Sequence, residues 1–125
     1  MVKVLIVDDE VDLAEYIADE LRSENFDTDT AYDGVEAVLK ALDGIYDVVL
    51  LDIRMPKLDG IGALRIIKRV MPNLPIIMFT GQAGRGDMIA STRLGAYTCL
   101  LKPVSLNQLV ETIHQVVPNE KIQQK

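Results

Sequence analysis

The chain has one cysteine, one histidine, no apolar run of bilayer length and no excess of positive charge. Each shortage closes a class of function. Cys99 alone cannot make an intramolecular disulfide, and its apolar neighbours mark a packed thiol rather than a redox centre. His114 follows Ile113 with no companion for metal or phosphohistidine chemistry, so it reads as a helix-surface residue. A membrane-crossing helix needs about 20 apolar residues, and no basic segment with an apolar core and cleavage site opens the chain. A cytoplasmic protein without a membrane partner is therefore expected. A formal net charge of −6 argues against direct contact with nucleic acid, whose phosphates draw affinity from clustered Lys and Arg. Gly81 to Gly86 is glycine-rich but lacks the Gly-Lys-hydroxyl ending of a phosphate loop, and reads as a permissive connector. Internal repeats and low-complexity segments are absent as well.

What is present is the composition of one globular domain. A chain of 125 residues, 49% hydrophobic and 26% charged, suffices for one core and not for two. A single unit over residues 1–118 is expected, with 119–125 as a polar tail or the start of a linker beyond Pro118.

Short apolar runs alternate with stripes at helical spacing. Lys3 to Val7, Val48 to Leu51, Ile76 to Thr80 and Tyr97 to Leu101 are too short for helices and read as strands. Phe26 to Tyr32 sets Thr28 and Thr30 among Asp27 and Asp29, a polar pattern suited to an edge strand. Helical stripes fall on Leu13, Ala14, Ile17, Ala18 and Leu21, then on Val35, Val38, Leu39 and Leu42 before a capping Gly44. A third runs over Ala63, Leu64, Ile67, Val70 and Met71, and a last over Leu106, Leu109, Val110, Ile113, Val116 and Val117. The helix between them has only Met88, Ile89, Ala90 and Leu94 to bury, and should be the least firmly held. This alternation predicts an α/β fold: a flavodoxin-like, doubly wound (βα)5 unit with a five-stranded parallel sheet. The less apolar second and fifth strands belong at the edges, giving the order 2-1-3-4-5.

In such a sheet all strands end on one rim. The first strand delivers Asp8 and Asp9 there, the third Asp52, the fourth Thr80 and the fifth Lys102. Asp52 is expected at an exposed tip on a rigid base, followed by the Met55-Pro56 break and the Asp59-Gly60 helix start. Crowded carboxylates suppress one another's ionisation unless a cation lies among them, and an all-oxygen set of this kind suits Mg2+. A carboxylate can attack phosphorus to form an acyl phosphate. That transfer asks the protein mainly for positioning and for neutralisation of the phosphoryl oxygens.

Asp8-Asp9-Glu10, Leu51-Asp52-Ile53-Arg54-Met55-Pro56 with Asp59-Gly60, Thr80-Gly81 and Lys102-Pro103, in that order and each at a strand end, resemble the receiver domain of bacterial two-component response regulators. The likeness is to the chemotaxis-regulator type and covers Lys3 to Val117. It implies that Asp52 accepts a phosphoryl group from a sensor histidine kinase or a histidine phosphotransfer protein. It further implies that Asp9 binds Mg2+ directly, that Asp8 acts through a water, and that the backbone carbonyl of Arg54 completes the ligands. Thr80 matches the switch hydroxyl and Lys102 the lysine that pairs with the phosphoryl group, its bond to Pro103 being cis. The implied protein is a phosphorylation-activated switch of a phosphorelay that catalyses only its own phosphoryl transfer and loss. Its downstream protein target would bind the fourth helix, fifth strand and fifth helix, and a phosphorylation-dependent homodimer is compatible with the family.

Two departures stand out. Cys99 occupies the place where the family usually has Tyr or Phe, the nearest aromatic being Tyr97, two residues earlier on the same strand face. Arg54 and Gln82, two residues beyond Asp52 and Thr80, resemble the positions that tune phosphoryl lifetime in that family. Arg54 also bears on the main rival: metal-dependent phosphatases and phosphotransferases with an Asp52-like nucleophile commonly carry a second Asp at that place as general acid. A nucleotide or flavin module would need a phosphate cradle after the first strand, where Asp8 and Asp9 would instead repel phosphate.

Overall fold

The computed structural model describes residues 1–81 and 84–118. Gln82 and the expected tail from Asn119 onward lie outside them. Strand and helix alternate: β1 (Lys3–Val7), α1 (Val11–Ser23), β2 (Asp27–Ala31), α2 (Gly34–Ala41), β3 (Val48–Asp52), α3 (Gly60–Val70), β4 (Ile76–Thr80), α4 (Arg85–Arg93), β5 (Thr98–Leu101) and α5 (Leu106–Val116). All strand pairs are parallel, in the order β2-β1-β3-β4-β5. The flavodoxin-like expectation holds, edges included.

The sheet has a core on each face, because β3 and β4 are apolar on both sides and buried throughout. One face joins Leu5, Val49, Leu51, Ile53 and Met78 to α2 and α3. The other joins Val4, Ile6, Leu50, Ile77 and Phe79 to α1 and α5. Three helices start on a side chain that accepts the orphan N–H of the first turn: Asp33 from Glu36, Asp59 from Gly62 and Ser105 from Gln108. No described helix is long and apolar enough to cross a membrane.

Two stripes differ from expectation. In α2 the large residues Val35, Leu39 and Leu42 are exposed, while Ala37, Val38 and Ala41 face the core. This helix lies against α3, where small side chains allow close approach. In α3, Val70 is likewise exposed and burial stops at Ile67. α4 buries less than expected: Ile89 is exposed, Met88, Ala90 and Leu94 are only half-buried, and among the helix's described residues Ser91 is the one that is buried.

Gly60 fixes where α3 begins. Its N–H donates to the Ile53 carbonyl at 2.8 Å, and a Cβ at this position would run into the backbone carbonyl of Asp52. The helix start is thus pressed against the end of β3. Gly60→Ala is expected to cost about 1–3 kcal/mol through forced backbone shifts, read as a lower urea midpoint. An unchanged midpoint would show that the loop yields freely.

Candidate functional site

The parallel strands bring their C-terminal ends to one rim, and every rim residue singled out in the sequence lies there. Asp9, Glu10, Asp52, Arg54, Thr80, Gly81 and Lys102 line one cleft of about 280 Å3. Asp8 lies beneath it, fully buried. Its backbone N–H donates to Ala31 at 3.1 Å, and its carboxylate accepts from the N–H of Glu10 at 2.9 Å, which fixes the turn out of β1.

Lys102 holds the centre. Its Nζ lies 2.7 Å from Asp8 Oδ2 and 3.2 Å from Asp52 Oδ2, with Glu10 further out at 3.8 Å. Its own N–H donates to the Thr80 carbonyl at 2.9 Å, which ties it to the end of β4, and its bond to Pro103 is cis. The ammonium also lies 5.0 Å from the centre of the Phe79 ring. Burial alone would pull its pKa down, but the hydrogen bond to Asp8 and the charges of Asp52 and Asp8 carry it above the usual lysine value.

Asp52 departs from the exposed tip expected of it. The residue is 3% exposed and paired with Phe79 in the sheet, because the rim rises around it. Burial, with the Asp8 charge added, pushes its carboxyl up to about 6 against the opposing pull of Lys102. The N–H of Arg54 donates to its Oδ1 at 3.3 Å.

Asp8, Asp9 and Asp52 each offer a carboxylate oxygen, all within 4.8 Å of one another. Hard oxygen donors at this spacing, open to a cleft on one side, suit a divalent cation.

Three participants escaped the sequence reading. Asp87, in the first turn of α4, pairs with the Arg54 guanidinium at 2.7 Å across 33 residues of chain. Glu10 lines the cleft, and Phe79 lies under Lys102. Only Glu10 carried a signal, as the third acid of its run. Tyr97 precedes β5, and its hydroxyl donates to Gln115 of α5 at 2.9 Å. Cys99 packs against the core beside α3, where burial raises its thiol pKa. His114 is exposed on α5, its ring 5.9 Å from that of Phe26.

Residues 4–114 match the family described as response regulator receiver domain. The chain belongs to that family. A curated relative, the transcriptional regulatory protein CpxR homolog of Haemophilus influenzae, is 40% identical over 117 residues, covering 94% of this chain and 51% of its own. The receiver domain spans about half the length of the curated relatives it matches. Among solved structures, the CheY-like receiver domain protein of Methanospirillum hungatei superposes with a TM-score of 0.92 at 25% identity, over 99% of both chains. The CheX-CheY-BeF3-Mg2+ complex of Borrelia burgdorferi gives 0.86 at 35% identity, over 92% of this chain and 88% of that one. As a receiver domain the protein is phosphorylated on an aspartate cluster, consistent with phosphorelay signalling. Receiver domains act in their own phosphorylation and dephosphorylation and not as general enzymes.

Proposed function

We propose that Asp52 is the phosphoacceptor of a cytoplasmic signalling switch spanning residues 1–118. The observation that carries this is the placement of Lys102 Nζ between two buried carboxylates, at 2.7 Å from Asp8 and 3.2 Å from Asp52. At neutral pH a carboxyl of pKa about 6 is mostly ionised and nucleophilic. Asp52 attacks the phosphorus of a phosphohistidine whose other ring nitrogen is protonated: the P–N bond breaks with its electron pair going to nitrogen, a P–O bond forms, and the histidine leaves as neutral imidazole. Lys102 neutralises one phosphoryl oxygen, and the Thr80 hydroxyl, on the same cleft wall, donates to another.

Mg2+ would be held by Asp8, Asp9, Asp52 and the Arg54 backbone carbonyl, Asp8 through a water, and supplies charge neutralisation at the phosphoryl group. The Borrelia CheX-CheY-BeF3-Mg2+ complex supports that choice of ion. The donor is a sensor histidine kinase or a histidine phosphotransfer protein, and the recipient of the signal a protein bound by α4, β5 and α5. A phosphorylation-dependent homodimer is compatible with this reading. Arg54 in the place of a second catalytic Asp counts against turnover of other phosphoesters.

The test is to treat the protein with a small-molecule phosphodonor, with and without Mg2+, and to map the modified residue by mass spectrometry. Incorporation at Asp52 alone, and only with Mg2+, is expected. Modification elsewhere, or sustained hydrolysis of a phosphomonoester, would sink the proposal.

A further inference from the structure

α3 and α4 lie together on one face of the sheet, and the groove between them gathers positive charge in a chain of net charge −6. α3 carries Arg65, Lys68 and Arg69 and no acidic residue. α4 ends on Arg93, and its one carboxylate, Asp87, is taken by Arg54. Arg65, Lys68, Arg69, Arg93 and Leu94 line a cleft of about 360 Å3. Lys68 is fixed in its wall, Nζ donating to the carbonyls of Pro72 at 2.8 Å and Leu74 at 3.1 Å. Arg65, Arg69 and Arg93 are exposed, and none of them pairs with a carboxylate among the described residues. An adjoining cleft of about 310 Å3 shares Arg65, Arg93 and Leu94 and continues over Gly86, Ile89 and Ala90. The groove is therefore cationic along one part and apolar along the next.

Protein surfaces ordinarily intersperse charges of both signs, so cations gathered without counter-charge favour an anion from outside. We propose that the α3–α4 groove docks a short acidic segment of a partner protein, its carboxylates on Arg65, Arg69 and Arg93 and an apolar side chain on Ile89 and Leu94. Guanidinium forks match carboxylates in paired hydrogen bonds, and a groove between helices with apolar anchor points is a common seat for a peptide. The chain's overall acidity repels a long polyanion such as nucleic acid. A nucleotide is disfavoured because, among the described residues, no aromatic side chain lines either cleft to stack on a base. A second copy of the chain would have to bring exposed acids from another face, such as those of α1, to this groove, a heterologous contact that builds a ring or a filament and so would show as self-association.

The test is an NMR titration of the full chain with a synthetic peptide of paired Glu and single Leu residues, beside its Glu-to-Gln counterpart, ADP and a short DNA duplex. The acidic peptide is expected to shift the amides of Arg65, Arg69, Ile89, Arg93 and Leu94 and to weaken with added salt. Its affinity should fall at least about tenfold in the Arg69→Glu/Arg93→Glu variant. Arg69→Gln/Arg93→Gln serves as a milder companion should charge reversal disturb folding. Binding should persist in Asp52→Asn, which separates this inference from the assignment of the phosphoacceptor. Equal binding of the Gln peptide, shifts on another face, tighter binding of ADP or DNA in the groove, or self-association lost in the Arg variants would each overturn it.

Discussion

Asp52→Asn is expected to abolish phosphate incorporation and, in metal-free solution, to make the fold more stable. The first effect follows from removing the nucleophile; residual labelling at another residue would refute the assignment. The second follows from the sign of the pKa shift. The carboxyl titrates near 6 in the folded protein and at about 3.8 when unfolded. Between those values the folded state holds the extra proton, so stability falls as pH rises through the window, and the full penalty applies above it. The Asn variant escapes that penalty at pH 7, a gain of about 1–3 kcal/mol by linkage, and the gain vanishes near pH 4. Urea unfolding in a chelator at the two pH values measures it. A gain of equal size at both would point to packing, not charge. Added Mg2+ should narrow the difference by stabilising the wild type alone.

Removal of Lys102 should act in the opposite direction. Its side chain is 16% exposed and serves two carboxylates that are almost wholly buried, Asp8 and Asp52. Lys102→Met keeps the stem but leaves both acids without their cation. Stripping one partner from a buried pair costs about 3–5 kcal/mol, and the open cleft above the site places this loss near the lower figure. The loss should shrink toward pH 4, as protonation relieves the uncompensated charge. It should also be smaller in the Asp52→Asn background, since one of the two carboxylates is then already neutral. Equal losses in both backgrounds, measured by a double-mutant cycle, would mean that Lys102 stabilises through its stem packing alone. Phosphate incorporation should slow as well, the phosphoryl oxygens having lost their ammonium.

Much of this site was legible in the sequence because parallel sheets deliver all strand ends to one rim. Once Val48 to Leu51 and Ile76 to Thr80 read as apolar, buried strands, Asp52 and Thr80 had to be neighbours of Asp8, Asp9 and Lys102. The polar Asp27-Thr28-Asp29-Thr30 run identified an edge, and with it the strand order. Depth was not legible. Asp52 is buried among groups from separate elements, its carboxylate held by Lys102 after β5 and by the N–H of Arg54 while the start of α3 abuts its backbone, which no local pattern encodes. Small residues misled for a related reason: hydrophobic bulk pointed to Val35, Leu39 and Leu42, whereas close helix packing selected Ala37 and Ala41. The Arg54–Asp87 pair and the cationic groove join residues from separate elements, so neither leaves a periodic trace.

The Arg54–Asp87 contact bears on how readily α4 can change position. With the arginine side chain 65% exposed and the aspartate 29%, such a pair contributes at most about 1 kcal/mol. The β3 end is by contrast wedged by a glycine that tolerates no substituent. Any displacement that begins at the rim therefore meets a rigid wall on the α3 side and a lightly latched door on the α4 side.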